Sequence, residues 1–282
     1  MILSMPASSR GLFWLLIASF LTFLLTLIPF ARVISYPFQI FSTFIHETCH
    51  ALSAVLTFGQ VESLTVSWNG SGVTYTRGGI RPIIYSAGYL GTAFFGGWLL
   101  LLSRNEKWVR PGLATCAILV ALATLFFAGH SNNLLVLSAL LLISVFTVVS
   151  ARAGRSRTIP LLGALVVALL LVAYLSWMKS LFSWGVGLAA FVALMSVLRF
   201  ASVQAAHFFL SFLGIQCSLN ALEGLRTLYF ISSGSGCKAT DAAQMASLTG
   251  IPAVLWAILW AVLALGFLLF SLWRVWGIGT AK

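Results

Sequence analysis

His46-Glu47-Thr48-Cys49-His50, read as H-E-x-x-H, lies in the second half of an apolar stretch over 33–59. Residues four apart stack one turn up on the same face of a helix, so His46 and His50 can pinch one metal ion. Glu47, one position on from His46, can reach a water on that metal without ligating it. Two imidazoles holding Zn²⁺, with a glutamate as general base, is the zinc-hydrolase arrangement. Two histidines that merely found hydrogen-bond partners would leave the glutamate between them unexplained, because an ionisable group inside a membrane is costly unless it serves something.

That the stretch lies in a membrane follows from composition. Of 282 residues, 60 % are hydrophobic and 7 % charged, whereas a soluble domain carries about 25 % charged residues. The net charge is +11, from sixteen Lys and Arg against five acids. The basic residues fall in short runs between apolar segments, as topology determinants and headgroup anchors do. No stripe of basic and aromatic residues marks a polar face, so the reading excludes nucleic acid and names the lipid bilayer as the partner of this charge. Cys49, Cys116, Cys217 and Cys237 show no paired spacing and read as small thiols, mostly buried, neither a disulfide frame nor metal ligands.

Working outward from the motif, the apolar segments fall at 11–30, 33–59, 82–103, 112–128, 134–150, 161–178, 181–198, 202–222 and 251–273. Each is long enough to cross a bilayer. The fold class is therefore an all-α polytopic membrane protein of about nine transmembrane helices, a single domain over 1–282. Pro37 predicts an irregular start to the motif helix. Between spans, 104–111 and 151–160 read as polar loops, Lys179-Ser180 as a tight turn, and 225–250 as the most polar stretch. The segment over 82–103 carries Gly88, Gly91, Gly96 and Gly97, which let neighbouring helices approach closely. His130 and His207 read as structural or interfacial histidines.

One segment breaks the helical pattern. Val61, Leu64, Val66 and Trp68 precede Asn69-Gly70-Ser71-Gly72, and Val73 and Tyr75 follow, ahead of Arg77-Gly78-Gly79. β-Branched and aromatic residues on either side of an Asn-Gly turn predict a short β-hairpin directly after the motif helix. At membrane depth its edges must be buried in protein or line a wet cavity.

His46-Glu47-Thr48-Cys49-His50-Ala51-Leu52, then Phe58-Gly59 and the strand-like run to Gly78-Gly79, resembles the site-2 protease family of intramembrane zinc metallopeptidases, most closely its compact branch without regulatory domains. Ser86-Ala87-Gly88-Tyr89-Leu90-Gly91 and Thr240-Asp241-Ala242-Ala243 carry the same resemblance. It covers 33–100 well and 202–260 moderately. It implies hydrolysis of peptide bonds in or near membrane segments of protein substrates, with His46 and His50 on zinc and Glu47 as general base. It also implies that the hairpin, through Val61, Leu64, Val66, Val73 and Tyr75, receives an extended substrate. The family takes its third ligand from an Asp followed by Gly on a later helix, and Leu222-Glu223-Gly224 echoes that element with Glu in place of Asp.

Among the remaining acids, Glu62 opens the hairpin and Glu106 sits in a basic loop at the opposite face, which leaves Glu223 and Asp241 as third-ligand candidates. Asp241, with Gln244 three residues on, can be explained as a helix cap. Glu223 ends an apolar helix with only Arg226 as an evident partner. Glu223 is the preferred ligand and Asp241 the alternative. Two other functions are carried beside the protease: an inactive pseudo-protease that binds membrane proteins, and a transporter using His and Glu as a proton relay.

Overall fold

The computed structural model describes residues 31–130, 181–233 and 240–276, with a few isolated helical positions between residues 13 and 21. The expected spans over 134–150 and 161–178, the loop at 151–160, the turn at Lys179-Ser180, Cys237 and nearly all of the span over 11–30 lie outside the described residues.

The motif helix, α1 (Ala31–Leu56), begins two residues earlier than the apolar pattern suggested, and Pro37 sits inside it. The carbonyl that Pro37 cannot pair, that of Val33, lies at an exposed end of the helix, so the irregular start foreseen from Pro37 does not arise. Phe58, at φ 62, and a 2.7 Å hydrogen bond from Gly59 N–H to the Ala54 carbonyl close the helix. The chain then turns back as a hairpin of β1 (Gln60–Val66) and β2 (Gly72–Arg77). Antiparallel pairing sets Leu64 opposite Thr74 and Val66 opposite Gly72. Asn69-Gly70 lies in the connection 67–71, closed by Ser67 N–H to the Ser71 carbonyl at 2.8 Å, so the loop is longer than a two-residue turn. The two-residue β3 (Gly129–His130) flanks β1, giving the order β2-β1-β3 and leaving β2 at the edge.

The remaining elements are α2 (Arg81–Ser103), α3 (Glu106–Phe126), α4 (Leu181–Phe200), α5 (Val203–Ser233), α6 (Asp241–Thr249) and α7 (Ala253–Trp276). The polar loop expected over 104–111 is mostly the first turns of α3. The Asn105 side chain accepts from Lys107 N–H at 3.2 Å, and Glu106 sits in the first turn, where the helix dipole favours a negative charge. Similarly, α5 does not end at Leu222 but runs on to Ser233. Hydropathy marks where a helix leaves the apolar layer, not where its hydrogen bonding stops.

Among the described residues, α2, α3, α4, α5 and α7 contain stretches long and apolar enough to cross a membrane. Helix α1, with 26 residues, has the length to span (~39 Å at 1.5 Å per residue) but carries the polar motif. Phe44 and Ile45 from α1 pack with Leu64 and Val66 from β1, Leu113 from α3 and Leu210 from α5 into one core cluster. A second cluster gathers Leu225 and Leu228 of α5, Ala242 and Met245 of α6, and Trp260 of α7.

Helix α2 runs through the centre, and its glycines explain how. A Cβ on Gly91 would meet the Cys49 sulfur at 2.6 Å, one on Gly96 the Ser218 backbone N at 2.8 Å, and one on Gly97 the Ser271 hydroxyl at 2.7 Å. Three neighbours, α1, α5 and α7, thus reach α2 at backbone distance. His207 is buried with Nε2 on the Ser103 carbonyl, a structural contact between α5 and the end of α2.

Candidate active site

The helical spacing of the motif does what local geometry requires: His46 Nε2 and His50 Nε2 are 3.1 Å apart on one face of α1. The ring of His50 is fixed from behind. A carbonyl can only accept, so His50 Nδ1–H donates to Ile84 O at 2.6 Å and Nε2 is left with its lone pair toward His46. The ring of His46 is held differently, edge-on to Tyr89 with centroids 4.6 Å apart, and Tyr89 in turn stacks on Trp260. Gly88 of α2 stands over both imidazoles, and a Cβ there would collide with both Nε2 atoms. The absence of a side chain at Gly88 is what leaves a cradle in front of the two nitrogens.

The third group arrives from a distant element. Asp241 Oδ2 lies 3.3 Å from His50 Nε2 and 3.5 Å from His46 Nε2. Its position follows from how α6 is built. Ala242 and Met245 bury one face of this short helix against Leu225, Leu228 and Trp260. Thr240 is the N-cap, its hydroxyl accepting from Ala243 N–H at 3.2 Å. The capping role that sequence logic gave to Asp241 is therefore taken by the residue before it, and the Asp241 carboxylate is free to face the histidines.

Glu223 is placed otherwise. Its side chain is 66 % exposed and 3.5 Å from Arg226 one turn on, a solvent-screened pair at the rim of the same cavity. His46, His50 and Asp241 offer three ligand atoms within 4.8 Å of one another, and among the described residues Glu223 is not part of that group.

Glu47 is buried, 4 % exposed, and its Oε2 accepts from the Thr74 hydroxyl at 2.7 Å. A Cβ on Gly72 would meet Glu47 Oε1 at 2.5 Å. Glu47 and the three clustered groups all line one cavity of about 610 Å³, walled by α1, β2, α2, α5 and α6. The five hairpin residues singled out for substrate contact divide by face. Leu64 and Val66 are buried in the core, Val61 is half-buried, and Val73 and Tyr75 are exposed beside the cavity.

Sequence reasoning named Gly88 only as a packing residue and missed Thr74, Gly72 and the cap at Thr240. Gly88 lay inside the Ser86–Gly91 segment already noted. Nothing local to Thr74 or Gly72 signals a contact with Glu47, which depends on hairpin register.

Two imidazole nitrogens and one carboxylate oxygen converging on a cradle are the donor set of a three-ligand zinc site, with a buried carboxylate that does not belong to the set lining the same cavity. A family model described as Peptidase M50B-like matches the chain over residues 14–158 and again over 141–271. No curated protein and no solved structure matches it. Together the two matched stretches run through the motif helix, the hairpin and Asp241, and this multi-pass membrane protein belongs to the Peptidase M50B-like family, that of the site-2 proteases its motif stretch resembles.

Proposed function

We propose that this chain is an intramembrane zinc metalloendopeptidase, hydrolysing peptide bonds in or near the membrane segments of protein substrates. The observation that carries the reading is the meeting of His46, His50 and Asp241 from two elements far apart in sequence, in one cavity with Glu47. Asp241 replaces Glu223 as our third ligand. Its donor atom is within 3.5 Å of both imidazole nitrogens, whereas Glu223 faces solvent and Arg226.

The donor set suits zinc, and Gly88 leaves the room a cation needs. When bound, zinc supplies Lewis acidity, which polarises a peptide carbonyl and eases deprotonation of water near neutral pH. The chain's own residues do the rest. The bond from His50 Nδ1–H to Ile84 O keeps the coordinating nitrogen unprotonated and aimed. Glu47, outside the ligand set, takes the proton of the attacking water and returns it to the leaving amine. A substrate helix protects its carbonyls with its own hydrogen bonds, so it must unwind before attack. The edge strand β2 can hold the unwound segment by strand addition.

The test is Glu47→Gln in purified, zinc-loaded protein. Gln is nearly isosteric and is not asked to ligate, so zinc should stay near one per chain while cleavage of a membrane-segment substrate disappears. His46→Ala should lose both. A Glu47→Gln variant that still cuts overturns the general-base assignment. A wild type that holds zinc and cuts nothing is a binder, and one that holds no zinc returns the chain to a proton-relay reading.

A further inference from the structure

We propose that β2 couples substrate to the catalytic carboxylate, with Thr74 as the positioning residue. One face of this strand holds Glu47 in place, and its free edge offers the backbone on which the scissile segment is laid. The inference deepens the protease reading above and rests on it.

The backbone groups of the hairpin point in directions fixed by their partners. In β1, Leu64 N–H donates to the Phe127 carbonyl at 2.9 Å and Val66 N–H to the Ser183 hydroxyl at 2.7 Å. Both partners lie on the side of β1 away from β2. A strand residue sends its N–H and C=O to the same side, and successive residues alternate. Ser63 and Thr65 therefore turn toward β2 and exchange hydrogen bonds with their partners Tyr75 and Val73. It follows that Gly72, Thr74 and Thr76 direct their N–H and C=O outward, to an edge with no strand beside it among the described residues.

Side chains obey the same alternation on the perpendicular axis. Residues paired directly across a ladder share a face, so Thr74 and Gly72 lie on the face of buried Leu64 and Val66, toward α1. There the Thr74 hydroxyl is 2.7 Å from Glu47 Oε2 and 3.1 Å from the Glu47 carbonyl. Gly72, two positions earlier, leaves the space the carboxylate occupies, since a Cβ there would overlap Oε1 and Cγ.

Thr74 thus has two outputs from one residue. Its hydroxyl fixes the carboxylate that moves the proton, and its backbone stands at the open edge beside the same cavity. A segment paired along β2 has its register set against Glu47 by one residue, with no loop between the binding strand and the base. This makes Thr74 a positioning residue whose loss should appear in turnover and not in metal binding.

The experiment measures kcat, KM and zinc content on a fluorogenic single-span peptide that the wild type cuts in micelles. Thr74→Val keeps the shape and removes the donor. It should lower kcat roughly 10- to 100-fold, the size of a hydrogen bond to a charged group, with KM and zinc unchanged. Thr74→Ser should restore kcat. Gly72→Ala, which pushes directly on the carboxylate, should also lower kcat with zinc retained. Thr76→Pro removes an edge donor without touching Glu47, and should raise KM while leaving kcat near wild type. Wild-type kcat in zinc-loaded Thr74→Val, or wild-type KM in Thr76→Pro, overturns the coupling. Wild type and Glu47→Gln run alongside separate the two levels: a wild type that cuts nothing overturns the protease reading, a Glu47→Gln variant that still cuts overturns the general-base assignment, and an inactive Glu47→Gln beside a normal Thr74→Val overturns the coupling alone.

Discussion

Replacing Gly88 with Ala puts a single methyl group into the cradle in front of both histidines. Built on the backbone of α2, that Cβ overlaps the Nε2 of His46 and of His50 and lies 2.6 Å from His46 Cε1. Neither ring has an easy retreat. His50 is tied through Nδ1 to Ile84 O at 2.6 Å, on the same helix that carries the new methyl. His46 has the Tyr89 ring at its edge, with centroids 4.6 Å apart. Separating α1 from α2 would open the contact of Gly91 with Cys49, and α2 is held on its far side where Gly96 meets Ser218. Overpacking of this kind costs about 1–3 kcal/mol, and the better helix propensity of Ala returns up to ~1 kcal/mol. Folding stability should therefore fall by no more than about 3 kcal/mol. Metal affinity should fall further, because the overlap is with the donor atoms themselves; disturbing ligand orientation alone costs about 10- to 100-fold. The assay is chelator competition for zinc in detergent micelles, with thermal unfolding followed in parallel. Gly266→Ala, which meets nothing within 4 Å, is the control and should bind zinc normally. Wild-type zinc affinity in folded Gly88→Ala would refute the reasoning.

Tyr89→Phe should keep zinc affinity, whereas Tyr89→Leu should lower it about 2- to 10-fold, the range of an aromatic contact; equal affinity in both would show that the ring does not hold His46. Thr240→Ala removes the α6 cap and should cost about 1 kcal/mol of stability, with less than a tenfold loss of zinc; an unchanged melting temperature would contradict the cap. Val66→Pro deletes a buried N–H that donates to Ser183 at 2.7 Å. It should destabilise the fold by about 1–3 kcal/mol or more, seen by denaturation, while normal stability would contradict the strand directions derived above.

What the sequence revealed of the site is what one helix can encode. His46, Glu47 and His50 are set by an i, i+4 spacing, and the hairpin by an Asn-Gly between two β-rich runs. The third ligand we propose depends on a contact nearly two hundred residues away, and local rules placed the helix cap one position off. Asp241 followed by Gln244 looks like a capping box, yet Thr240 takes the cap, and that shift converts Asp241 from a structural residue into a candidate ligand. Glu223 attracted attention because it follows an apolar run, but α5 continues past it and carries it to the rim. The glycines of α2 were legible as packing positions. That Gly88 faces the histidines could not be read, since it depends on how α2 is rotated against α1.

The most direct measurement of the central claim is zinc stoichiometry and affinity in three purified proteins: wild type, Asp241→Ala and Glu223→Ala. The account predicts about one tightly bound zinc per chain in the wild type and in Glu223→Ala, and collapse of affinity in Asp241→Ala with the protein still folded. Zinc retained at wild-type affinity in Asp241→Ala, or released in Glu223→Ala instead, would contradict the His46–His50–Asp241 centre.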